Sequence, residues 1–255
     1  MDAETKMAAR VSDEAFEIIG PNRSGRWLLT CDHASNRVPN WVNGGDLGLP
    51  SADMDRHIAY DIGAAGVTRH LSDLLDSAAV LSNFSRIVID PNRGALDPTL
   101  IRTIYDGSII PANRSATADE LQRRKDTLYA PYHAAIAEVA VSITAPVVCA
   151  IHSFTPQLKD KPKRPWEVGV LYAHDDRFAR PFIEACEAQG WCVGDNKPYN
   201  GELPGDAIDQ HALQHGRANV LIEVRNDLIE DAEGQRLWAE RLAPILEETL
   251  ATTGL

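Results

Sequence analysis

No apolar run in the chain approaches the roughly 20 residues of a membrane span. Its first ten residues, MDAETKMAAR, place acids where a secretory leader needs a basic start and an apolar core. The expectation is a cytoplasmic protein with no membrane partner. Basic charge is also scarce, with 25 Lys and Arg against 37 Asp and Glu, a net charge of −12. The acids are spread along the chain and not gathered in a tail. A field of that sign repels polyanions, so nucleic acid is not an expected partner. The four cysteines form no C-x-x-C pair, and three of them sit in or beside apolar strand-like runs. That pattern suits buried reduced thiols better than disulfides or a thiolate metal site. The N-x-S/T triplets at Asn22, Asn83 and Asn113 would matter only in a secreted chain. Several catalytic signatures are missing too: G-x-S-x-G, the G-x-x-x-x-G-K phosphate loop, G-x-G-x-x-G and H-E-x-x-H.

What is present is alternation. Short apolar runs occur at 27–31 (WLLTC), 78–90 (AAVLSNF into SRIVID), 146–151 (PVVCAI), 167–173 (EVGVLYA), 191–194 (WCVG) and 219–224 (NVLIEV). Between them, apolar residues recur at helical spacing over 55–75, 118–142 and 233–250. Near-continuous apolar strands imply burial on both faces. The fold expected is therefore α/β, a three-layer αβα sandwich around a mixed, mostly parallel central sheet. The 255 residues suit one domain spanning 1–255, with 1–20 as a loosely ordered N-terminal segment. The Lys- and Pro-rich stretch at 159–165 reads as a loop inside that domain, since a strand pattern resumes at once.

In open α/β sheets, ligands bind at the carboxyl ends of strands, so the residues ending each apolar run are the ones to compare. Asp32 and His33 follow the first run, Asp90, Asn92 and Arg93 the second, and His152 and Ser153 the run at 146–151. Glu223, Arg225 and Asp227 lie in or after the last. Two imidazoles and a carboxylate make a usual non-thiol zinc set, which nominates His33, His152 and a third oxygen donor. An anionic ligand favours Asp55 over the amide of Asn36, although Asp53 and Asp55 equally suit N-caps of the helix that follows. Glu223 is an expensive carboxylate in an apolar strand. It reads either as a general base or as half of an ion pair with Arg225 or Arg86. Asn92 and Arg93 offer an amide and a forked guanidinium suited to a substrate carboxylate, though Asp-Pro-Asn-Arg-Gly is also turn chemistry. His211, just before the last strand, is a further candidate to line the pocket, and most of His57, His70, His133, His174 and His215 are expected to be surface or core residues with no ligand role.

These segments resemble the N-formylglutamate amidohydrolase family. The matching stretches are 32–39 (DHASNRVP), 55–66 (DRHIAYDIGAAG), 85–93 (SRIVIDPNR), 131–136 (PYHAAI), 151–156 (IHSFTP), 164–172 (RPWEVGVLY), 195–201 (DNKPYNG) and 222–229 (IEVRNDLI), in family order through nearly the whole length. The resemblance implies a phosphorylase/hydrolase-like fold related to zinc carboxypeptidases. It also implies one zinc ion per chain and hydrolysis of the N-formyl or related N-acyl amide of an acidic amino acid. Carried over by position, His33 and His152 look like metal ligands, Glu223 like the general base, and Asn92 with Arg93 like the carboxylate anchor, with Arg86 or Arg225 assisting. The chain departs from the carboxypeptidase H-x-x-E pattern by having Asn36 where that glutamate would stand. Two alternatives follow: a same-fold hydrolase of another N-acyl amino acid or peptide-like amide, and a metal-free pocket that binds acidic ligands.

Overall fold

Burial on both faces, inferred above from unbroken apolar runs, is what the central strands show. In the computed structural model, which describes residues 14–255, strands β2 (Trp27–Cys31), β3 (Ala78–Ser82) and β6 (Val147–Phe154) are buried at every position. They join β1 (Phe16–Ile19), β7 (Val168–Leu171), β8 (Val193–Asp195) and β9 (Asn219–Arg225) in a seven-stranded sheet of order β1-β3-β2-β6-β9-β7-β8. Strands β3, β2, β6 and β9 run parallel, while β1 and the β7–β8 pair run the other way. The sheet is mixed and mostly parallel.

Helices cover both faces. The short α1 (Ser51–Met54) precedes α2 (Ala64–Leu74), and after strands β4 (Ile104–Tyr105) and β5 (Ser108–Ile109) come α3 (Pro111–Arg114), α4 (Ala118–Arg124) and α5 (Ala130–Ser142). Then follow α6 (Ala179–Ala188), α7 (Ala207–His211) and α8 (Ala232–Thr253). One core packs Val67 and Leu71 of α2, Phe182 of α6, and Trp238 and Leu242 of α8 under the sheet. The other packs Leu128, Tyr132 and Ile136 with Ile87, Val88 and Ile89 on the opposite face. Each fully buried side chain of this size contributes roughly 1.5–3 kcal/mol relative to exposure. Both layers are therefore needed to offset the entropy of ordering the chain.

The structure differs from the sequence reading in several places. Residues 85–90 are a buried loop and not a strand: β3 already has β1 and β2 on its two sides, so Ile87, Val88 and Ile89 fill the core without a ladder. The helix expected from 55 begins only at Ala64. Gly63 sits at φ 81°, and a Cβ there would lie 2.0 Å from the carbonyl oxygen of Ile229, so the chain turns at a position only glycine can occupy. The helix expected over 118–142 is interrupted by a π turn at Lys125–Tyr129, a wide turn of a kind common near functional sites. Within 1–20, Phe16–Ile19 forms an edge strand, while residues 1–13 lie outside the described residues. The β4–β5 hairpin was not anticipated, although its Asp106-Gly107 turn, with φ 41° and 83°, is the expected chemistry for a two-residue type I′ connection. No helix among the described residues is long and apolar enough to cross a membrane.

Candidate active site

Three neighbouring parallel strands end at one place and bring their polar residues together. His33 leaves β2, His152 lies on β6, and Glu223 lies on β9 directly opposite His152 in the strand register. The two imidazole rings are 4.9 Å apart at 78°. Between them stands Asp61, whose loop is tied down from two directions. Its backbone N–H donates to the His33 carbonyl at 2.9 Å, and the Ser153 N–H donates to its Oδ2 at 3.2 Å. That same Oδ2 lies 3.3 Å from His33 Nδ1 and 2.9 Å from His152 Nδ1.

The far side of each ring is also held by a carboxylate. His33 Nε2 is 2.7 Å from Asp90 Oδ1, and His152 Nε2 is 3.0 Å from Asp32 Oδ2. Tyr132, placed just beyond the π turn, donates to Asp32 Oδ1 at 2.7 Å. Arg86 donates to Asp61 at 3.1 Å and to Asp90 at 3.2 Å. All three aspartates are buried. Burial works against their charge, but the histidines, with Tyr132 beside Asp32 and Arg86 beside the other two, outweigh it and hold them ionised below the usual carboxylate range. Burial likewise opposes a charged His152, yet Asp32 and Asp61 outweigh it and raise its affinity for a proton.

This donor set fits a divalent cation. Two imidazole nitrogens and a carboxylate oxygen converge, the only such cluster among the described residues. Each imidazole is oriented through its second nitrogen by an aspartate, the usual support of a metal-ligating histidine. Charge agrees: three carboxylates against one guanidinium leave two negative charges when the imidazoles are neutral, which a divalent ion cancels. Asp32→Asn or Asp90→Asn is expected to weaken metal binding about 10–100-fold while leaving the fold intact. Competition against a chelator of known affinity measures this, and unchanged affinity in both variants would remove their orienting role.

The other nominated residues divide. Asn92, Arg93 and Arg86 line the cavity of about 210 Å³ that opens beside the cluster, together with Glu223. Asp55 does not: it is exposed, the residue that follows α1. Asn36 spends its amide on the Met54 carbonyl at 2.9 Å and is not part of the lining either. Arg225 is turned aside by Asp227 and the Trp166 carbonyl. His211 stacks on His133, with 2.8 Å between their facing nitrogens, outside the cavity, and burial pushes its pKa down to about 4. In place of these, the cavity gains Asp61, His57, Tyr105 and Asp206. Asp61 carried a readable signal. It is an acid inside the apolar stretch 58–64, whereas Asp55 sits beside Arg56 and Asp53 in a polar one.

Glu223 pairs with neither arginine proposed for it. Its Oε2 is buried without a hydrogen-bond partner, and burial, only partly offset by His152, raises its pKa to about 7.

A sequence profile of the N-formylglutamate amidohydrolase family matches residues 25–230. The chain belongs to that family. A gene product of Agrobacterium tumefaciens of known crystal structure is similar at 32% identity and TM-score 0.89, covering 95% of this chain and 97% of the other. An N-formylglutamate amidohydrolase from Ralstonia eutropha shares the fold at 21% identity and TM-score 0.64, over 94% and 97% of the two chains. No curated protein sequence matches significantly. Membership of this amidohydrolase family accords with a cavity that places a metal-type cluster, a buried carboxyl and arginines around one small volume.

Proposed function

We propose that the protein is a zinc-dependent hydrolase of the N-formyl or a related N-acyl amide of an acidic amino acid. The observation that carries this is Glu223, a buried carboxyl with one oxygen unpartnered among the described residues, which lines the same cavity as His33, Asp61 and His152. Those three residues would hold one zinc ion, with Asp32 and Asp90 orienting the histidines. Zinc bound there supplies polarisation of the acyl carbonyl and an acidified water.

The remaining roles belong to the chain. Asn92 and Arg93 hold the substrate carboxylate and so fix the acyl carbon near Glu223. Arg93 is suited to this because, among the described residues, its side chain donates to Thr99 Oγ1 and the Asn92 carbonyl and has no acidic partner. Glu223 takes a proton from the water that attacks the acyl carbon and returns it to the amide nitrogen as the C–N bond breaks, giving formate and the free amino acid. A pKa near 7 suits both halves of that transfer at neutral pH. The small cavity favours an amino acid derivative over a peptide.

The test is formate release from N-formylglutamate by metal-replete protein, alongside N-acetyl and other N-formyl amino acids. Turnover by protein carrying about one zinc per chain, lost on chelation and restored by zinc, is the expected result. Stoichiometric zinc with no hydrolysis across the panel would sink the amidase reading, and protein that binds no zinc would leave a pocket for acidic ligands.

A further inference from the structure

The corner of the cavity formed by the β4–β5 hairpin has no role in the chemistry above, yet it is closely built. Tyr105, the last residue of β4, lines the cavity together with His57. Its ring lies 4.6 Å from the Arg102 guanidinium and 5.5 Å from that of Arg86, and edge-on to His57 at 6.5 Å. Around this one ring, three buried nitrogens lack a hydrogen-bond partner among the described residues: His57 Nε2, Arg86 Nε and Arg102 Nε. His57 Nε2 stands 3.5 Å from Asp106 Oδ2, too poorly placed for a hydrogen bond, and burial, opposed by Asp106 and aided by Arg56 and Arg86, lowers the affinity of the imidazole for a proton.

Charge is unbalanced in the same place. Arg86 is already engaged by Asp61 and Asp90, while Arg102 and Arg93 form no ion pair among the described residues. Burial makes the Arg102 charge costly and Arg93 and Arg86 add to that cost, with Tyr105 and Asp90 offsetting it in part. Crowded guanidiniums with unpaired donors, in a protein of net charge −12, describe a site completed by a small anion.

Behind the wall is a clamp. Arg56 donates to Asp53 Oδ1 and Ser108 Oγ, each at 2.9 Å, and to Asp106 Oδ2 at 2.7 Å, while Ser108 Oγ donates to Asp53 Oδ2 at 2.9 Å. Both the turn and one strand of the hairpin are thereby fixed to the segment that carries His57. A two-residue ladder would not hold its own position in water.

We propose that this corner is a second anion subsite. In it, His57, Tyr105 and Arg86, which line the cavity, take the side-chain carboxylate of a dicarboxylic substrate whose α-carboxylate lies at Asn92 and Arg93, while Arg102, outside the lining, backs the Tyr105 ring and adds positive charge. Arg56 is the positioning residue that sets the hairpin. The inference rests on the reading of Asn92 and Arg93 as the first carboxylate site, and it makes the preference for an acidic amino acid a property of the hairpin and not of the metal cluster.

Glutarate and butyrate separate the two anchors, because both carry one carboxylate and only glutarate carries a second. Calorimetric titration of the metal-replete protein is expected to show glutarate binding at least about tenfold more tightly than butyrate. Tyr105→Phe and Arg102→Met should each cut that preference several-fold with butyrate affinity unchanged. Arg56→Ala should do the same, with partial recovery in Arg56→Lys. Equal binding of the two acids by the wild type would overturn the proposal. So would an unaltered preference in Tyr105→Phe and Arg102→Met proteins that melt like the wild type, or a parallel fall in butyrate binding. Calorimetry needs no turnover, so the two readings fail separately. Glutarate preference without hydrolysis of N-formylglutamate keeps the subsite and removes the amidase; hydrolysis without the preference does the reverse.

Discussion

Glu223→Gln is expected to retain its metal and lose about two to four decades of kcat, the range for removing a general base. The substitution is close to isosteric, and Glu223 Oε2 accepts no hydrogen bond among the described residues that the amide would break. The fold should therefore be undisturbed. Stability is expected to hold or rise, because a buried carboxyl without a partner is costly and a neutral amide costs less. A neighbouring wall supports the side chain: Gly169 on β7 is paired in register with Glu223, and a Cβ added to that glycine would lie 3.3 Å from the Glu223 Cβ. Single-turnover rates, zinc content and melting temperature measured together decide the matter. Retained turnover at full zinc occupancy would exclude Glu223 as the base and return it to a structural role.

The second large effect is expected at Asp61. Asp61→Asn should cost more metal affinity than the about 10–100-fold expected for the aspartates behind the histidines, and activity should fall with the metal. Asparagine keeps the shape but removes the negative charge that His33, His152 and Arg86 surround. Asp55→Asn is the contrasting variant, and it should bind zinc like the wild type because Asp55 is exposed and apart from the cavity. Elemental analysis after dialysis against a weak chelator reads both. Zinc lost from Asp55→Asn and kept by Asp61→Asn would reverse the assignment of the third ligand.

These two aspartates show how far the sequence could be read. Both lie in the same stretch, 55–66, and both are acids near a helix start. The preference for an anionic ligand over an amide points to Asp55, and treating 55–75 as one helix gives no reason to weigh Asp61, the acid that stands between the two histidines. The structure turns the chain at Gly63 and packs the loop before it onto the His33 carbonyl and the Ser153 N–H. Arg225 and His211 miss the cavity for a related reason. Both do stand at or before a strand end, but other partners, Asp227 two residues on for one and His133 of α5 for the other, determine where the side chains point.

Hydrophobic patterning was enough to specify the layered fold and its polar edge. Unbroken apolar runs can be buried only in a sheet covered on both sides, and parallel strands place their terminal residues, His33, His152 and Glu223, along a common margin. Which acid joins the histidines, which arginines face the cavity, and that a two-residue hairpin carries a wall of it emerge only in the folded chain. Those features are set by loops and by contacts between residues far apart in the chain, such as Asp61 with His152 and Arg56 with Asp106. Periodicity records which face of an element is buried, and it carries no information about how a loop is folded back.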